Sequence, residues 1–492
     1  MRSVKFLIIA LMSVAISVSC NKKGDEASLV LNRSALYFSS WHDHSQVISY
    51  VATNAISVSV ASVSDGWQVT LNPATREIYV TPKGSTSSDV SDDELSKEGV
   101  LIVNALNKEK QATSYMVNLY ICETVAIDAA GASNCYVVTA PNINYTFDAK
   151  HRPDGSLLDT ASAKLLWQSN PEIVNNVDLV GGRVQFYVVP SVDDYDRLED
   201  TNAVIAAYNA AGEVIWSWHL WIVNENPLTA TTTYQLNGEE KIFMNQNLGA
   251  FTNAKGVTDE QKILDSYGMY YQWGRKDPFP RPYYFDASGA EAEGCYNGDN
   301  YIINGKFEEC STTTGAVAYT IKNPMTYITN AACIEENGDG IGDWLAVADN
   351  TLWNDVEKSL YDPCPKGWRV PTANDLSALK LTDENAADNN SALENARGQY
   401  GWYLSGDVGS AFWSACGRRR YNDGKIENMN SKDGVYPSQP QPWEGYYWTS
   451  STTADGKSVA LYFDLTTTRV NKFFPNYSAR RANGFQIRCV KE

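Results

Sequence analysis

The sequence predicts a mainly β protein that ends in an α+β domain. Two stretches of strand-like text, residues 29–122 and 123–228, precede a loop-rich stretch, residues 229–492, which contains one clear helix signal. A chain of 492 residues is expected to form about two to four domains rather than one core. The fold class is therefore mainly β and α+β, with two β-sandwich-like modules followed by a third, mixed domain.

The first module is predicted from short runs in which apolar and polar residues alternate. Residues 46–51, 56–60 and 115–120 show this alternation and are rich in β-branched or aromatic side chains. Runs of this kind, separated by turn residues, are typical of a β-sandwich. The polar, serine-rich segment 83–98 is predicted to be a loop between strands.

The second module ends in a long apolar run, residues 213–223, that predicts a strand. Val214, Trp216, Trp218, Leu220 and Ile222 share one face, so the strand is expected to be buried on at least one side. Tryptophans can form a sugar platform, but in a strand this apolar they are more typical of core packing.

The third domain has many Gly, Asn and Asp residues and few periodic runs. Its helix signal is residues 372–379, where Thr372 is the N-cap, Asp375 lies three residues on and Pro371 fixes the entry. Strands are predicted at residues 445–450, 459–463 and 484–490.

The amino terminus has the pattern of a secretory signal peptide, residues 1–19. Arg2 and Lys5 precede an apolar run, residues 6–18, which is shorter than the roughly 20 residues that span a bilayer. An ordinary cleaved signal is the alternative reading, but the abrupt change to a polar tether, residues 20–28, favours lipidation of Cys20. The segment before Cys20 resembles a bacterial lipobox, and the acidic residues after it resemble surface-export signals of Bacteroidetes lipoproteins. That resemblance implies a surface-exposed, lipid-anchored protein of the cell outer membrane.

Charge and cysteine content narrow the class of partner and the compartment. The formal net charge of −18 argues against nucleic acid as a partner, because counterion release needs a broad basic face. Eight of the nine cysteines remain once Cys20 carries lipid, an even number in a chain sent to an oxidising compartment. Spacing favours the local pairs Cys122–Cys135 and Cys295–Cys310, and other pairings stay open.

Several motifs of the third domain resemble a known family. Residues 362–372, 447–451 and 484–490 are similar to the Fibrobacter succinogenes major paralogous domain, and residues 244–250 and 270–279 extend the match. The stretch 134–492 resembles fimbrium tip subunits and related surface lipoproteins of Bacteroidetes. The resemblance implies a C-type-lectin-like domain displayed outward on a β-rich stalk, and a disulfide between Cys364 and Cys489. Residues 29–38 with Trp67 resemble a BACON or related immunoglobulin-like module.

The distribution of histidine argues against catalysis. All four histidines precede residue 229, so the third domain holds neither a Ser-His-Asp or Cys-His arrangement nor a His-ligated zinc. Paired acids such as Asp339 and Asp343 could cleave glycosides, but acidic loops are usually only solvated. A formylglycine-generating type of enzyme, with Cys333 and Cys416 as free thiols, is the other enzymatic alternative. The chain is predicted not to be an enzyme, and no catalytic residue is assigned.

Ligand and metal sites are predicted in the loops of the third domain. Aromatic faces and polar partners suit sugars, and arginines suit acidic glycans, although core packing or a solvated turn is the alternative for each. The candidates are Trp344, Trp353, Trp402, Trp413, Trp443, Arg418, Arg419 and Arg420. Calcium is the one cofactor the sequence admits. Its candidate ligands are Asn337, Asp339 and Asp343, in a glycine-rich acidic loop that lacks the terminal bidentate Glu.

Together these features predict a cell-surface lipoprotein that acts as an adhesin or a glycan- or protein-binding subunit at a fimbrium tip. Its expected partner is a host or environmental glycan or surface protein. The alternative is a structural subunit that anchors or assembles with other fimbrial subunits.

Overall fold

The chain divides into two compact units, each described separately below. The computed structural model describes residues 26–84, 91–92, 95–253, 259–286, 289–292, 294–297, 300–302, 306–331, 342–381, 400–427, 444–465 and 473–492. The N-terminal unit is Met1–Val125 with Asn142–Asn144, and the C-terminal unit is Ala126–Pro141 with Tyr145–Glu492. Strands greatly outnumber helices in the described residues, which confirms the mainly β fold class.

The N-terminal unit is built from two four-stranded sheets. The sheet orders are β1-β3-β6-β5 and β2-β8-β7-β4. The strands are β1 (Ser28–Leu31), β2 (Ala35–Phe38), β3 (Gln46–Thr53), β4 (Ser57–Val63), β5 (Trp67–Asn72), β6 (Glu77–Pro82), β7 (Glu98–Leu106) and β8 (Ala112–Ile121).

Alternation along these strands creates the core between the two sheets. In β6 and β7 every second residue is buried, and Ile78, Val80, Leu101 and Val103 are fully inaccessible. Inward-facing apolar side chains of both sheets form one cluster, as a β-sandwich requires. The β-sandwich predicted for residues 29–122 is therefore observed.

Seven sheets are found among the described residues of the C-terminal unit. Its strands, together with the connecting β9, are β9 (Thr124–Ala126), β10 (Cys135–Val138), β11 (Ile143–Asp148), β12 (Ser162–Gln168), β13 (Val174–Val180), β14 (Arg183–Val188), β15 (Thr201–Tyr208), β16 (Val214–Ile222), β17 (Thr231–Leu236), β18 (Glu239–Met244), β19 (Tyr271–Gln272), β20 (Pro282–Asp286), β21 (Gly289–Ala292), β22 (Cys295–Asn297), β23 (Asn300–Ile302), β24 (Lys306–Glu309), β25 (Thr326–Thr329), β26 (Trp368–Arg369), β27 (Lys380–Leu381), β28 (Gly401–Ser405), β29 (Ser410–Ser414), β30 (Arg418–Arg419), β31 (Ile426–Glu427), β32 (Glu444–Thr452), β33 (Ser458–Asp464), β34 (Phe473–Ala479), β35 (Gly484–Phe485) and β36 (Val490–Lys491). The helices are α1 (Glu260–Asp265), α2 (Val317–Lys322) and α3 (Ala373–Ser377).

The sheets of this unit differ in size. The two largest have six strands each, in the orders β10-β16-β15-β12-β22-β23 and β19-β35-β30-β31-β21-β20. Two four-stranded sheets are β13-β14-β11-β9 and β17-β18-β36-β26. The smaller ones are β24-β25, β27-β28-β29 and β32-β33-β34.

The long strand β16 lies inside the first six-stranded sheet. It pairs antiparallel with β15 and parallel with β10, so neighbours cover both of its edges. Trp216, Trp218 and Trp221 are at most 1% exposed, which confirms the prediction that they are packing residues. Burial extends to both faces of the strand, beyond the single face that alternation predicts.

The first six-stranded sheet contains strands from two segments that were predicted to be separate domains. β12, from residues 123–228, pairs with β22, from residues 229–492, through Gln168 and Tyr296. Trp221 from the earlier segment and Trp273 from the later one belong to the same apolar cluster. The boundary predicted at residues 228/229 thus falls inside one compact unit.

Helix α3 and a disulfide bond are both observed in the C-terminal unit. Thr372 Oγ1 accepts a hydrogen bond from the Asp375 amide, and the Asp375 carboxylate accepts one from the Thr372 amide, which is the predicted capping arrangement of α3. A disulfide joins Cys364 to Cys489, as the family resemblance implies. The predicted strand 484–490 is divided into β35 and β36, and between them the carbonyl oxygens of Ile487 and Cys489 accept hydrogen bonds from the amides of Leu248 and Met244.

Candidate functional site

The tryptophans predicted to bind a ligand are core residues instead. Trp344, Trp353, Trp402 and Trp413 are between 0% and 5% exposed. Three of them also bind neighbours through the indole nitrogen: Trp344 Nε1 donates to Trp273 O at 2.7 Å, and Trp353 Nε1 to Tyr361 O at 2.9 Å, while Trp413 Nε1 donates to the Tyr234 hydroxyl at 3.3 Å. Buried rings offer no face to a sugar, so these four assignments are corrected to packing.

The arginine run is likewise part of the fold rather than an anion site. Arg419 is 3% exposed and donates to the carbonyl oxygens of Pro280 and Gly424. Arg420 is paired with Asp423, and the guanidinium of Arg418 lies 5.2 Å from the ring centre of Tyr446. Neighbouring groups of the same unit therefore already engage all three charges.

The predicted calcium loop is described only at its end. Asp343 is 5% exposed, and Arg481 Nη1 lies 3.2 Å from its Oδ2. A guanidinium thus occupies the position beside this carboxylate that a calcium ion would need, which counts against Asp343 as a calcium ligand. Within the described ranges no group of three or more His, Cys, Asp or Glu side chains could hold a metal ion. Cys20, Trp443, Asn337 and Asp339 lie outside the described residues.

The local cysteine pairs are not joined. Cys122 and Cys135 carry free thiols, and Cys295 is not bonded to Cys310. Burial raises the pKa of Cys135 and of Cys122, so neither thiol is reactive in place. Spacing along the chain favoured these pairs, but a disulfide also requires the two side chains to meet at a specific distance and angle, which spacing does not determine.

His219, on β16, is one of the two histidines of the C-terminal unit; the other is His151. His219 is 1% exposed, and its Nε2 lies 2.9 Å from Asn202 Oδ1 while Nδ1 lies 3.3 Å from the Tyr271 hydroxyl. Burial lowers its pKa to about 3. The ring is neutral and held by two polar neighbours, so it acts as a satisfied core residue.

A polar cleft in the C-terminal unit is the strongest candidate site. It has a volume of about 760 Å³, within the range of small-molecule and side-chain pockets. Its walls come from the residues that follow β12, the loop 191–200, Asn224 beyond the end of β16, Phe251 and helix α1. Four residues farther along the chain complete them: Arg281, Pro282, Gly294 and Tyr296. We call it the polar cleft.

Asp200 lines the cleft and is held by Asn224. Asp200 Oδ1 accepts hydrogen bonds from Asn224 N at 2.9 Å and from Asn224 Nδ2 at 2.7 Å. Asn224 also exchanges two hydrogen bonds with the backbone of Leu198, so it clamps the loop. Burial raises the pKa of Asp200 against these hydrogen bonds, and the charges of Asp265 and Glu199 raise it further.

The lining also includes an ion pair that lies on an aromatic ring. Arg281 Nη2 lies 3.2 Å from Asp265 Oδ1, and Arg281 Nη1 donates to Leu264 O at 2.8 Å. The guanidinium lies 4.1 Å from the ring centre of Phe251 and so covers that ring. Arg281 is therefore a fixed part of the wall.

The backbone conformation of Gly249, two residues before Phe251, helps to position Phe251 in the cleft lining. Gly249 has φ of +84°, and a Cβ there would lie 2.7 Å from Met269 Cγ. Asn202 Nδ2 donates to Gly249 O at 2.8 Å, which ties the segment to β15. Only glycine meets both conditions, because other residues are strained at positive φ and would clash.

Sequence reasoning missed the polar cleft. Its residues are spread over more than 120 positions and none forms a motif. The one available signal was the acidic loop 191–200 between strands, which carries five carboxylates and one arginine outside any regular element.

No family model matches the chain, and no curated protein matches it. Solved structures that align with it include SGBP-B of the Bacteroides ovatus mixed-linkage glucan utilization locus in complex with a mixed-linkage heptasaccharide (10% identity, 41% of this chain and 46% of that chain, TM-score 0.12). Others are SporoSAG from Toxoplasma gondii (7%, 38% and 94%, 0.12) and the four N-terminal Ig domains of Dscam1 isoform 6.44 (14%, 41% and 52%, 0.13).

The chain spans about half the length of two of these three proteins. TM-scores this low do not establish a common overall fold. The likeness to Fibrobacter major paralogous domains and to fimbrium tip subunits therefore stays a resemblance in sequence motifs.

Proposed function

We propose that the protein is a cell-surface binding protein, an adhesin or glycan- or protein-binding subunit, that docks its partner in the polar cleft. The observation that carries this proposal is the cleft itself, about 760 Å³ in volume and lined by carboxylates, amides and aromatic rings. Polar groups fixed in a concave surface orient a ligand and give specificity.

Binding rather than catalysis is the activity we propose. Cys416, one of the two cysteines of the formylglycine alternative, is fully buried, and burial raises its pKa to about 12. A thiol in that setting is a poor nucleophile, since the thiolate is the reactive form. The other cysteine, Cys333, lies outside the described residues.

We propose that the protein lies on the outer surface of the cell and is anchored by lipid at Cys20. Within that location, we propose that it sits at the tip of a fimbrium. None of the helices in the described ranges is long and apolar enough to span a membrane. The amino-terminal pattern and the motif resemblance support this location.

The test is a charge reversal at the rim of the polar cleft. Asp193→Lys combined with Asp194→Lys changes two exposed cleft residues, while Asp196→Lys in the same loop, at an exposed position that does not line the cleft, is the matched control. We expect the double variant to lose binding to a glycan and matrix-protein array, and to lose cell adhesion, with surface display intact by antibody labelling. Unchanged binding and adhesion would remove the cleft as the docking site.

A further inference from the structure

We infer that the oxygen atoms around the ammonium group of Lys358 form a site for a monovalent cation, which the chain fills with its own side chain. The class of ligand that this site takes is a primary ammonium ion or a potassium ion. The site belongs to segment 358–370 of the C-terminal unit, and none of its residues lines the polar cleft. It therefore does not depend on the proposed function.

The ammonium group of Lys358 is surrounded by oxygen atoms of one short segment. Its Nζ lies 3.1 Å from Asp362 Oδ1 and 2.7 Å from Cys364 O. It also lies 3.3 Å from Pro365 O and is hydrogen-bonded to Trp368 O. An ammonium group has N–H donors but no acceptor, so these oxygens satisfy it completely. Main-chain carbonyls, which supply most of them, are also the oxygens that replace water around a potassium ion.

The site is buried and its charges balance. The side chain of Lys358 is 10% exposed, and that of Asp362 is 5% exposed. A buried charge requires a partner of opposite sign and hydrogen bonds, and here one carboxylate balances one ammonium group. Without the ammonium group, the carboxylate and the converging carbonyl oxygens would repel one another, and this repulsion favours another cation in the same place.

Other contacts hold these oxygens in position. Asp362 Oδ1 accepts a hydrogen bond from the Cys364 amide at 2.8 Å, and Asp362 Oδ2 accepts one from the Val370 amide at 2.9 Å. Asn134 Nδ2 donates to Asp362 O at 2.9 Å, and Ser133 Oγ donates to Cys364 O at 3.2 Å. Because these contacts do not involve the lysine, we expect the oxygens to keep their arrangement when the ammonium group is removed.

These oxygens suit a monovalent cation better than calcium. Calcium takes about six to eight oxygen ligands, usually with several carboxylates. The oxygens of the described residues that contact Lys358 Nζ include one carboxylate, that of Asp362. A divalent ion would therefore leave positive charge uncompensated in a buried site.

The experiment removes the ammonium group and supplies it again from solution. Lys358→Ala loses the part of the side chain that corresponds to propylammonium. We expect this variant to lower the unfolding temperature of the C-terminal unit by about 5 °C or more. Propylammonium chloride should restore roughly half of the loss. Tetramethylammonium chloride at the same ionic strength should restore none, because its cation has no N–H donor and is too large. Tryptophan fluorescence of the full chain measures unfolding.

Two further variants separate the charge from the packing. Lys358→Met keeps an apolar stem without an ammonium group and leaves no space for one, so it should be destabilised and should not respond to propylammonium. Lys366→Ala removes a lysine at an exposed position of the same segment, so it should stay close to the parent protein. Hydrogen exchange in segment 358–370 should rise in both Lys358 variants and remain unchanged in Lys366→Ala.

Three results would overturn the inference. The first is an unfolding temperature of Lys358→Ala equal to that of Lys366→Ala, and the second is equal recovery with propylammonium and tetramethylammonium. The third is greater recovery with calcium chloride than with propylammonium at the same ionic strength, which would make the site one for a divalent ion. If Lys358→Ala does not fold, its refolding from urea is compared in the two ammonium salts. Refolding in propylammonium alone supports the site, and no difference between the salts rules it out.

Discussion

Buried carboxylates of the C-terminal unit differ in how the fold compensates their charge. Burial raises the pKa of Asp375, but hydrogen bonds from Arg369 and Thr372 outweigh it, so its pKa is lowered. Glu444 is also buried, and its direct partners are the hydroxyls of Tyr446 and Tyr462. Burial and the neighbouring charge of Asp464 raise its pKa, against weaker opposing effects of Arg418 and the two tyrosines.

Because the pKa of Glu444 is raised in the folded protein, ionisation of Glu444 lowers the free energy of unfolding. Its contribution to stability is fully present below the ordinary carboxyl range and is lost as pH rises through the raised pKa. Glu444→Gln should therefore raise the unfolding temperature by about 2 °C at pH 7.5, and the gain should vanish near pH 4. Thermal unfolding followed by circular dichroism measures this.

Glu213→Gln is the control for that experiment. A hydrogen bond from Lys322 and another from Asn209 lower the pKa of Glu213, so its neutralisation should bring no gain at pH 7.5. A similar rise in unfolding temperature in both variants would show that the loss of a negative charge in general is responsible, and not the repulsion between Glu444 and Asp464.

At the scale of single elements, short helices depend on their ends. α3 has five residues and is held by the reciprocal hydrogen bonds between Thr372 and Asp375 and by the Arg369–Asp375 ion pair at 2.7 Å. So few residues supply little helical stability by themselves, since nucleation is costly. The cap and the packing of Leu376 in the core therefore determine whether this helix forms.

Thr372→Ala should destabilise the C-terminal unit by about 1 kcal/mol, because the Asp375 amide loses its acceptor. Thr372→Ser keeps the hydroxyl and should stay close to the parent protein. Urea unfolding measures both variants. Equal loss in the two would mean that the methyl group, and not the hydrogen bond, matters.

At the scale of the whole molecule, the C-terminal unit is closed by contacts that are distant in sequence. The Cys364–Cys489 disulfide spans 125 residues, and β36 pairs both with β26 and with β18, so the last strand joins the beginning and the middle of the unit. A cross-link over so long a loop restricts the unfolded chain strongly.

Replacing both cysteines, Cys364→Ser with Cys489→Ser, should therefore cost the C-terminal unit about 2–5 kcal/mol and leave the N-terminal unit unchanged. Two urea transitions, followed by fluorescence with and without reductant, test this. Reductant should lower the stability of the parent protein to that of the variant, and Cys122→Ser in the N-terminal unit should show the parent behaviour. A parent protein that reductant does not affect would show that the bond contributes little.

Much of the fold could be predicted because its signals are local. Alternation in residues 46–51, 56–60 and 115–120, which form parts of β3, β4 and β8, predicted the N-terminal sandwich. The apolar run around Trp218 predicted β16, and Thr372 with Asp375 predicted α3. Each signal depends on residues within one element, and the backbone period or a cap links them directly to structure.

The candidate site could not be predicted in this way. Trp344 and Trp413 are of the residue type that forms sugar-binding platforms. Only the packed structure shows that their side chains are buried. Asp200, in the loop before β15, and Asp265, at the end of α1, line the same cleft although they are far apart in sequence. Residue type and local period are properties of the sequence, whereas burial and the convergence of distant side chains are properties of the packed chain.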